Sequence, residues 1–355
     1  MTEFKRILIP GGMGFVGSSL ALLIKAAYPD TEVYVFDNLK RRGSELNLPR
    51  LKHQGIHFVH GDLRIREDLM QIPKCDLVID CCAEPSVLSG TTGSPDYMLQ
   101  TNLTGTMHCL EYARINSSHF MFISTSRVYP IEALLRLRLQ ETPTRLQWDI
   151  EDGPGYGPKG IRQDFTMQGY RSLYGTSKYC SELLIAEYVA NYGLKGIINR
   201  CGVLAGPWQF GKVDQGFMAL WAAAHAYGRP LKYIGYGGTG KQVRDVLHIR
   251  DLFSLMQLEM NRAAEWKGQV VEASGGIDNT ISLLELTSLC EKLSNNTVDI
   301  GQELQTRSMD LPVFYMDCER TQEQYGWTPK YTIEDILVDI FQWLNQEKAS
   351  LTHVL

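Results

Sequence analysis

The feature that most constrains this chain lies at its start, where residues 5–17 read KRILIPGGMGFVG and SSLALLIKAAY follows at once. An apolar, strand-like run passes through glycines at positions 11, 14 and 17 into a helical pattern. That order makes a phosphate-binding turn. Gly11 permits the tight bend, Gly14 lets backbone N–H groups approach a pyrophosphate, and Gly17 lets the helix pack close to the sheet. The next apolar run, EVYVF, ends at Asp37, roughly 20 residues beyond the last glycine, where a carboxylate can hold the ribose hydroxyls of a dinucleotide. The same carboxylate repels the extra phosphate of NADP, so NAD is the expected cofactor. Arg41 and Arg42, just beyond it, keep NADP open.

Strand-like runs continue to alternate with helical patterns: RILIP, EVYVF, IHFVH, DLVIDC, HFMFIST and GIINR are separated by segments such as MLQTNLTGTMHCLEYAR and SKYCSELLIAEYVANYG. Alternation of this kind predicts a parallel sheet with helices on both faces, and nearly continuous apolar strands fit a sheet covered on both sides. After about residue 201 the order changes to glycine-rich and aromatic loops, short strands (PLKYIG, GQVVEAS) and separate helices (SLLELTSLCEKL, IEDILVDIFQWL). The expected fold class is α/β, a Rossmann-type doubly wound parallel sheet with a smaller, mixed α/β substrate-binding domain. The nucleotide-binding part is placed at 1–203 and the substrate part at 204–355, interleaved, with strands from about 243–275 free to join the first. The insert at about 130–171, rich in Gly, Pro and polar residues, is long enough to be functional and is expected over the reaction site.

Composition bounds the alternatives. A chain of 355 residues, 44% hydrophobic and 21% charged, is an ordinary globular protein with a large core. A net charge of −5 and a pI near 5.9 give no field that would attract nucleic acid or an anionic membrane. The first strand starts within a few residues, leaving no room for a signal peptide, and no apolar stretch reaches the roughly 20 residues of a membrane span. A cytoplasmic protein is expected. The eight cysteines lack CxxC spacing, so they read as thiols and not as a disulfide scaffold. His53, His57 and His60 are broken up by Gly55 and the strand-like HFVH, and no metal site is assigned.

A second motif supplies chemistry. In RSLYGTSKYCSELL, Tyr174 and Lys178 stand four residues apart, on one face of a helix. A phenol with an ordinary pKa of about 10 is a poor base at neutral pH, and a neighbouring cation lowers it. Taken alone, the pair could equally be chance spacing. With the glycine turn and the Ser124–Thr125–Ser126 run that closes HFMFIST, it converges on the carboxyl ends of adjacent strands, where open α/β sheets bind ligands.

Together, GGMGFVG, the Ser/Thr run and YGTSK resemble the extended short-chain dehydrogenase/reductase family, whose members act largely on nucleotide sugars. The resemblance implies that Tyr174 is the acid/base, that Lys178 binds the nicotinamide ribose and lowers the tyrosine pKa, and that Thr125 bonds the reacting hydroxyl. It implies cofactor contact from Gly11, Gly14, Phe15, Val16, Gly17, Asp37, Asn38, Asp62, Leu63 and Asn102, as well as from Tyr174 and Lys178. The segments DNLKRRGSELNL, GPWQFGKVDQGF, GKQVRDVLHIRDL and YGWTPK are similar to the CDP-paratose 2-epimerase branch. Carried over, this places Ser126, Gln209, Phe210, Asp214 and Gln215 on the substrate and gives its diphosphate to Arg244 and Arg307.

The chain also departs from the pattern. Pro10, Asp80, Glu84 and Arg127 stand where Thr, His, a neutral residue and Lys are usual. Dehydratases of this fold resemble one another in an Asp–Glu pair after the active-site Thr, and here Ser126 and Arg127 fill those places. The expectation is therefore an NAD-dependent epimerase inverting carbon 2 of a CDP-hexose through a 2-keto intermediate. A 4-epimerase or 4-ketosugar reductase is the alternative within the family, and a non-catalytic NAD-sensing scaffold the alternative outside it. A homodimer through the helices beside Tyr174, or a homotetramer, is implied.

Overall fold

The computed structural model describes residues 4–88, 90, 93–212 and 215–351. Seven strands form the main sheet: β1 (Arg6–Pro10), β2 (Glu32–Asp37), β3 (His57–His60), β4 (Leu77–Asp80), β5 (His119–Thr125), β6 (Gly196–Cys201) and β7 (Gln269–Ala273), in the order β7-β6-β5-β4-β1-β2-β3. The pairs β1–β2, β2–β3, β1–β4 and β4–β5 are parallel. Ile7, Leu8, Ile9, Leu77, Val78 and Ile79 are fully buried, as a sheet covered on both faces requires. The reversal of strand order between β1 and β4 creates the crevice at which such sheets bind ligands. The Rossmann-type expectation is met.

Three helices matter for the site: α1 (Phe15–Ala27), α2 (Gly105–Asn116) and α3 (Leu173–Tyr192). The helical segment expected over MLQTNLTGTMHCLEYAR is not one regular helix. A short α-helical stretch, Asp96–Leu99, runs into a wide π-turn at Gln100–Thr104 before α2 begins. Such turns re-aim side chains within a helix.

The chain divides into two compact units. The first contains 1–128, 173–200 and 252–271, and the second contains 129–172, 201–251 and 272–355. The insert after β5 therefore packs with the second unit, where its hairpin Leu139–Glu141/Leu146–Trp148 is anchored by Arg145. That guanidinium bonds Glu285 (Nε–Oε1 2.8 Å) and Thr280 (Nη1–Oγ1 2.9 Å). In the second unit, Val243–His248 pairs with Val203–Ala205, Thr280–Ser282 and Val313–Phe314. Helices Phe217–Tyr227, Leu283–Ser294 and Ile333–Gln346 pack beside one another, tied by Trp221 Nε1 donating to Thr287 Oγ1 (3.0 Å) and Tyr227 Oη donating to the Leu344 carbonyl (3.1 Å). Capping boxes begin the latter two helices at Ser282 and Thr332, each satisfying amides that the helix cannot pair itself.

All eight cysteines are free thiols. No helix among the described residues is long and apolar enough to cross a membrane.

One buried acid in the first unit gives the fold a pH dependence. Glu259 is fully buried, accepts a hydrogen bond from Asn199 Nδ2 (3.0 Å), and is pushed by burial up to about 8. A carboxyl whose folded pKa lies above its unfolded value of about 4.5 keeps its proton in the native state, so its contribution is lost as pH rises through that interval. Glu259→Gln is expected to melt close to wild type near pH 5 and above it at pH 9. Parallel melting curves at both pH values check this, and a variant with no alkaline advantage would contradict it.

Candidate active site

The glycine turn is enforced by its surroundings. Gly11 has φ +72, and a Cβ there would lie 2.7 Å from the Cys82 Cα, while a Cβ on Gly17 would lie 2.4 Å from the Gly11 carbonyl oxygen. Neither position accepts a side chain. Gly14 differs, because a Cβ on it would meet only the Gly11 oxygen, at 3.3 Å, so its side of the turn is open. Gly14 caps α1 without a side-chain hydrogen bond, and no acid stands in the first turn that begins with Phe15 and Val16. The helix therefore presents its N-terminal amides and the positive end of its dipole to a ligand.

At the end of β2, Asp37 accepts hydrogen bonds from Met13 N (3.1 Å) and Leu39 N (2.8 Å), which ties its carboxylate to the glycine turn. Burial raises its pKa, against the pull of these amides. Asp62 is fixed by Arg64 (Nη2–Oδ2 2.6 Å, Nε–Oδ1 2.9 Å) and Asn38 Nδ2 (3.1 Å). The hydrogen-bonded guanidinium holds its carboxyl well below the usual range. Leu63 is buried, with its carbonyl 2.8 Å from His108 Nδ1.

Tyr174 and Lys178 lie in the first turns of α3, 9% and 2% exposed respectively. The Lys178 Nζ sits 3.9 Å from the centroid of the Phe122 ring on β5. Asn102, aimed by the π-turn, joins this helix to the loop after β4: its Oδ1 accepts from Glu84 N (2.7 Å), while its Nδ2 donates to the Glu84 carbonyl (3.2 Å) and to Ser177 Oγ (3.1 Å). Ser177 Oγ in turn donates to the Tyr174 carbonyl (2.8 Å). Glu84, a departure from the expected neutral residue, thus meets Asn102 through its backbone. Thr125 closes β5 and accepts from Arg127 N at Oγ1 (3.2 Å), starting the turn Ser126–Val128.

Behind these groups lies a network that the sequence did not reveal. Glu182, four residues after Lys178, accepts from Ser124 Oγ (2.5 Å) and from Arg200 Nη2 (2.7 Å) and Nε (3.1 Å), all buried. It locks α3 to the strand end that carries Thr125.

Apart from Ser126, which lies in the first unit, the residues expected on the substrate belong to the second unit. Gln209 donates from Nε2 to the Leu204 carbonyl (2.9 Å), and its buried Oε1 has no hydrogen-bond partner among the described residues. Phe210 is buried with its ring centroid 6.0 Å from that of Trp343. Gln215 exchanges backbone bonds with Lys212, and Asp214 lies outside the described residues. Arg244 bonds Asp310 Oδ1 (2.8 Å) and the carbonyls of Leu311 (2.6 Å) and Val243 (2.7 Å), so three of its five N–H groups are engaged by the chain itself. Arg307 is half-buried, and its carbonyl accepts from Asp310 N (3.4 Å). Arg244 and Arg307 thus both meet Asp310.

The model of the NAD dependent epimerase/dehydratase family matches residues 7–273. A CDP-paratose 2-epimerase from Salmonella typhi is 31% identical over 346 residues, covering 95% of this chain and 98% of the relative. The chain belongs to the NAD-dependent epimerase/dehydratase family. A dTDP-glucose 4,6-dehydratase from Mycobacterium tuberculosis is 25% identical over 97% of this chain and 94% of its own. The solved UDP-glucuronic acid 4-epimerase from Bacillus cereus shares the fold with a TM-score of 0.77 at 20% identity, covering 96% of this chain and 99% of that one.

The family's cofactor class fits the residues present. The open side of the turn at Gly14, the uncapped amides of α1 and the Asp37 carboxylate form one cradle for a diphosphate and a ribose.

Proposed function

We propose that this protein is an NAD-dependent epimerase of a nucleotide-linked hexose and that it inverts carbon 2 of a CDP-sugar. The observation that carries the choice of epimerisation over dehydration is the turn after Thr125, where Ser126 and Arg127 stand in place of an acidic pair. An arginine is always charged and cannot give up a proton to a leaving hydroxyl. The 31% likeness to a CDP-paratose 2-epimerase over nearly the whole chain supports carbon 2 and the cytidine nucleotide.

When bound, NAD supplies the hydride acceptor and, after the sugar has turned, the hydride donor. Tyr174 takes the proton from the reacting hydroxyl and later returns it, with Lys178 favouring the phenolate. Thr125 orients the sugar oxygen. Gly11, Gly14 and Gly17, with the backbone of Phe15 and Val16, hold the diphosphate of the cofactor. Asp37 and Asn38 hold the adenosine ribose, Asp62 and Leu63 border the adenine, and Asn102 keeps the nicotinamide-side loop in place. Ser126, Gln209, Phe210, Asp214 and Gln215 are the residues assigned to the sugar nucleotide. Arg307 and the remaining N–H groups of Arg244 bind its diphosphate, so that the nucleotide retains the keto sugar while it reorients. Exposed Ile115 on α2 with Leu183 and Tyr192 on α3 support a homodimer through these helices.

A second reading, reaction at carbon 4, is favoured by the dehydratase and 4-epimerase likenesses. Incubating the purified protein with CDP-, dTDP- and UDP-hexoses and reading the products by proton NMR separates the two. Inversion at carbon 2 of a CDP-hexose is expected. Inversion at carbon 4, or a 4-keto-6-deoxy product, would overturn the first reading.

A further inference from the structure

We propose that Asp80 is the buried counter-charge of Lys178, a positioning residue that keeps the ammonium protonated in its enclosed site and so sets the pH range in which the Tyr174/Lys178 pair works. This rests on the reading of that pair as the proton-transfer device.

Asp80 ends β4 and is 0% exposed. It is in register with Phe122 on the neighbouring strand β5, and residues in register on adjacent strands direct their side chains to the same face of a sheet. The Lys178 Nζ lies against the Phe122 ring, so the strand position beside Asp80 on that face of the sheet is the one the ammonium covers. Both carboxylate oxygens are oriented: Oδ2 accepts from Thr106 Oγ1 on α2 (2.8 Å), and Oδ1 accepts from Cys82 N in the loop after β4 (3.0 Å). Thr106 Oγ1 also approaches the Asn102 carbonyl (2.9 Å), which links Asp80 to the residue that braces α3.

A carboxylate and an ammonium buried this deeply are each costly alone and far less so together. Burial pushes the Asp80 carboxyl up, and the charge of Lys178 is the foremost influence pulling it back. Among the described residues the other titratable groups that feel the Asp80 charge are the thiols of Cys82 beside it and Cys109 from α2, while the carboxylates of Asp37 and Asp62 act on Cys82 and the thiol of Cys81 on Cys109. The Cys82 and Cys109 thiols are held well above their usual range, first by burial, and stay neutral. Lys178 is therefore the cation that Asp80 serves.

The charge has a definite sign of effect. A carboxylate raises the pKa of every group near it, so its removal lowers those of both Lys178 and Tyr174. In Asp80→Asn the bell of kcat/KM against pH is expected to move as a whole to lower pH by about one unit or more. A variant whose kcat falls while both limbs stay in place would overturn the proposal and leave Asp80 a packing residue.

The reciprocal experiment needs no activity. In Lys178→Met the stranded carboxyl is expected to take up a proton at pH 7, giving a protonated-carboxyl band in the infrared difference spectrum against wild type. The band should vanish in Lys178→Met/Asp80→Asn. A Lys178→Met protein without it would overturn the proposal even if Asp80→Asn fails to fold. A wrong assignment of the proton-transfer pair shows itself separately, as full turnover in Tyr174→Phe.

Discussion

Tyr174→Phe is expected to lower kcat by about 10²- to 10⁴-fold, the usual contribution of a positioned general acid or base, with little change in KM. The argument is geometric. The ring is nearly buried on α3, and its backbone carbonyl accepts from Ser177, which is itself held by Asn102. Phenylalanine keeps the ring, its packing and the helix, and removes only the hydroxyl that accepts and returns the proton. Substrate held by contacts elsewhere should bind as before, so the loss falls on the chemical step. Steady-state kinetics on the accepted nucleotide sugar measure it, and a variant within a few-fold of wild type would remove Tyr174 from the acid/base role.

Arg200→Met is expected to destabilise the protein by about 3–5 kcal/mol, because it strands a buried carboxylate. Arg200 and Glu182 are 6% and 4% exposed at their side chains and 2.7 Å apart, so the carboxylate is shielded from bulk water when the guanidinium is lost. Removing both charges is a different matter. Arg200→Met/Glu182→Leu should recover most of the loss, since the pair repays its desolvation only while both partners are present. Thermal melting of the two variants tests this, and a double variant no better than the single one would contradict it. Glu182 follows Lys178 by one helical turn, and Ser124 precedes Thr125. The single variant should therefore also lose turnover beyond what its unfolded fraction explains.

The sequence was most informative where structure is local. Gly11, Gly14 and Gly17 follow one strand and open one helix, Asp37 closes the next strand, and Tyr174 and Lys178 share a helix face through their spacing alone. Strand periodicity likewise located β1 to β6, because buried parallel strands are short continuous apolar runs. Pairings across long stretches of chain were not legible. Glu182 meets Ser124 from 58 residues away and Asp80 meets Thr106 from 26, and neither partner carries a spacing that announces the other. Asp80 did stand out as an acid where the family usually has His, but only its register with Phe122 relates it to Lys178. The π-turn at Gln100–Thr104 was hidden because its residues fit an ordinary helical pattern. Arg244 looked like a ready phosphate fork, whereas three of its N–H groups bond Asp310, Leu311 and Val243. Side-chain type indicates a capacity for hydrogen bonding without indicating which neighbours take it up.

In the proposed reaction hydride leaves carbon 2 of the sugar and returns to that carbon, while the proton leaves and returns to the hydroxyl oxygen it carries, all within one site. The most direct measurement uses a CDP-hexose deuterated at carbon 2, with catalytic protein, in ordinary water and with no added reductant. NMR and mass spectrometry of the product should show carbon 2 inverted with its deuterium retained and no hydrogen taken from solvent. Inversion accompanied by loss of the label to water would contradict internal hydride return and, with it, the proposed function.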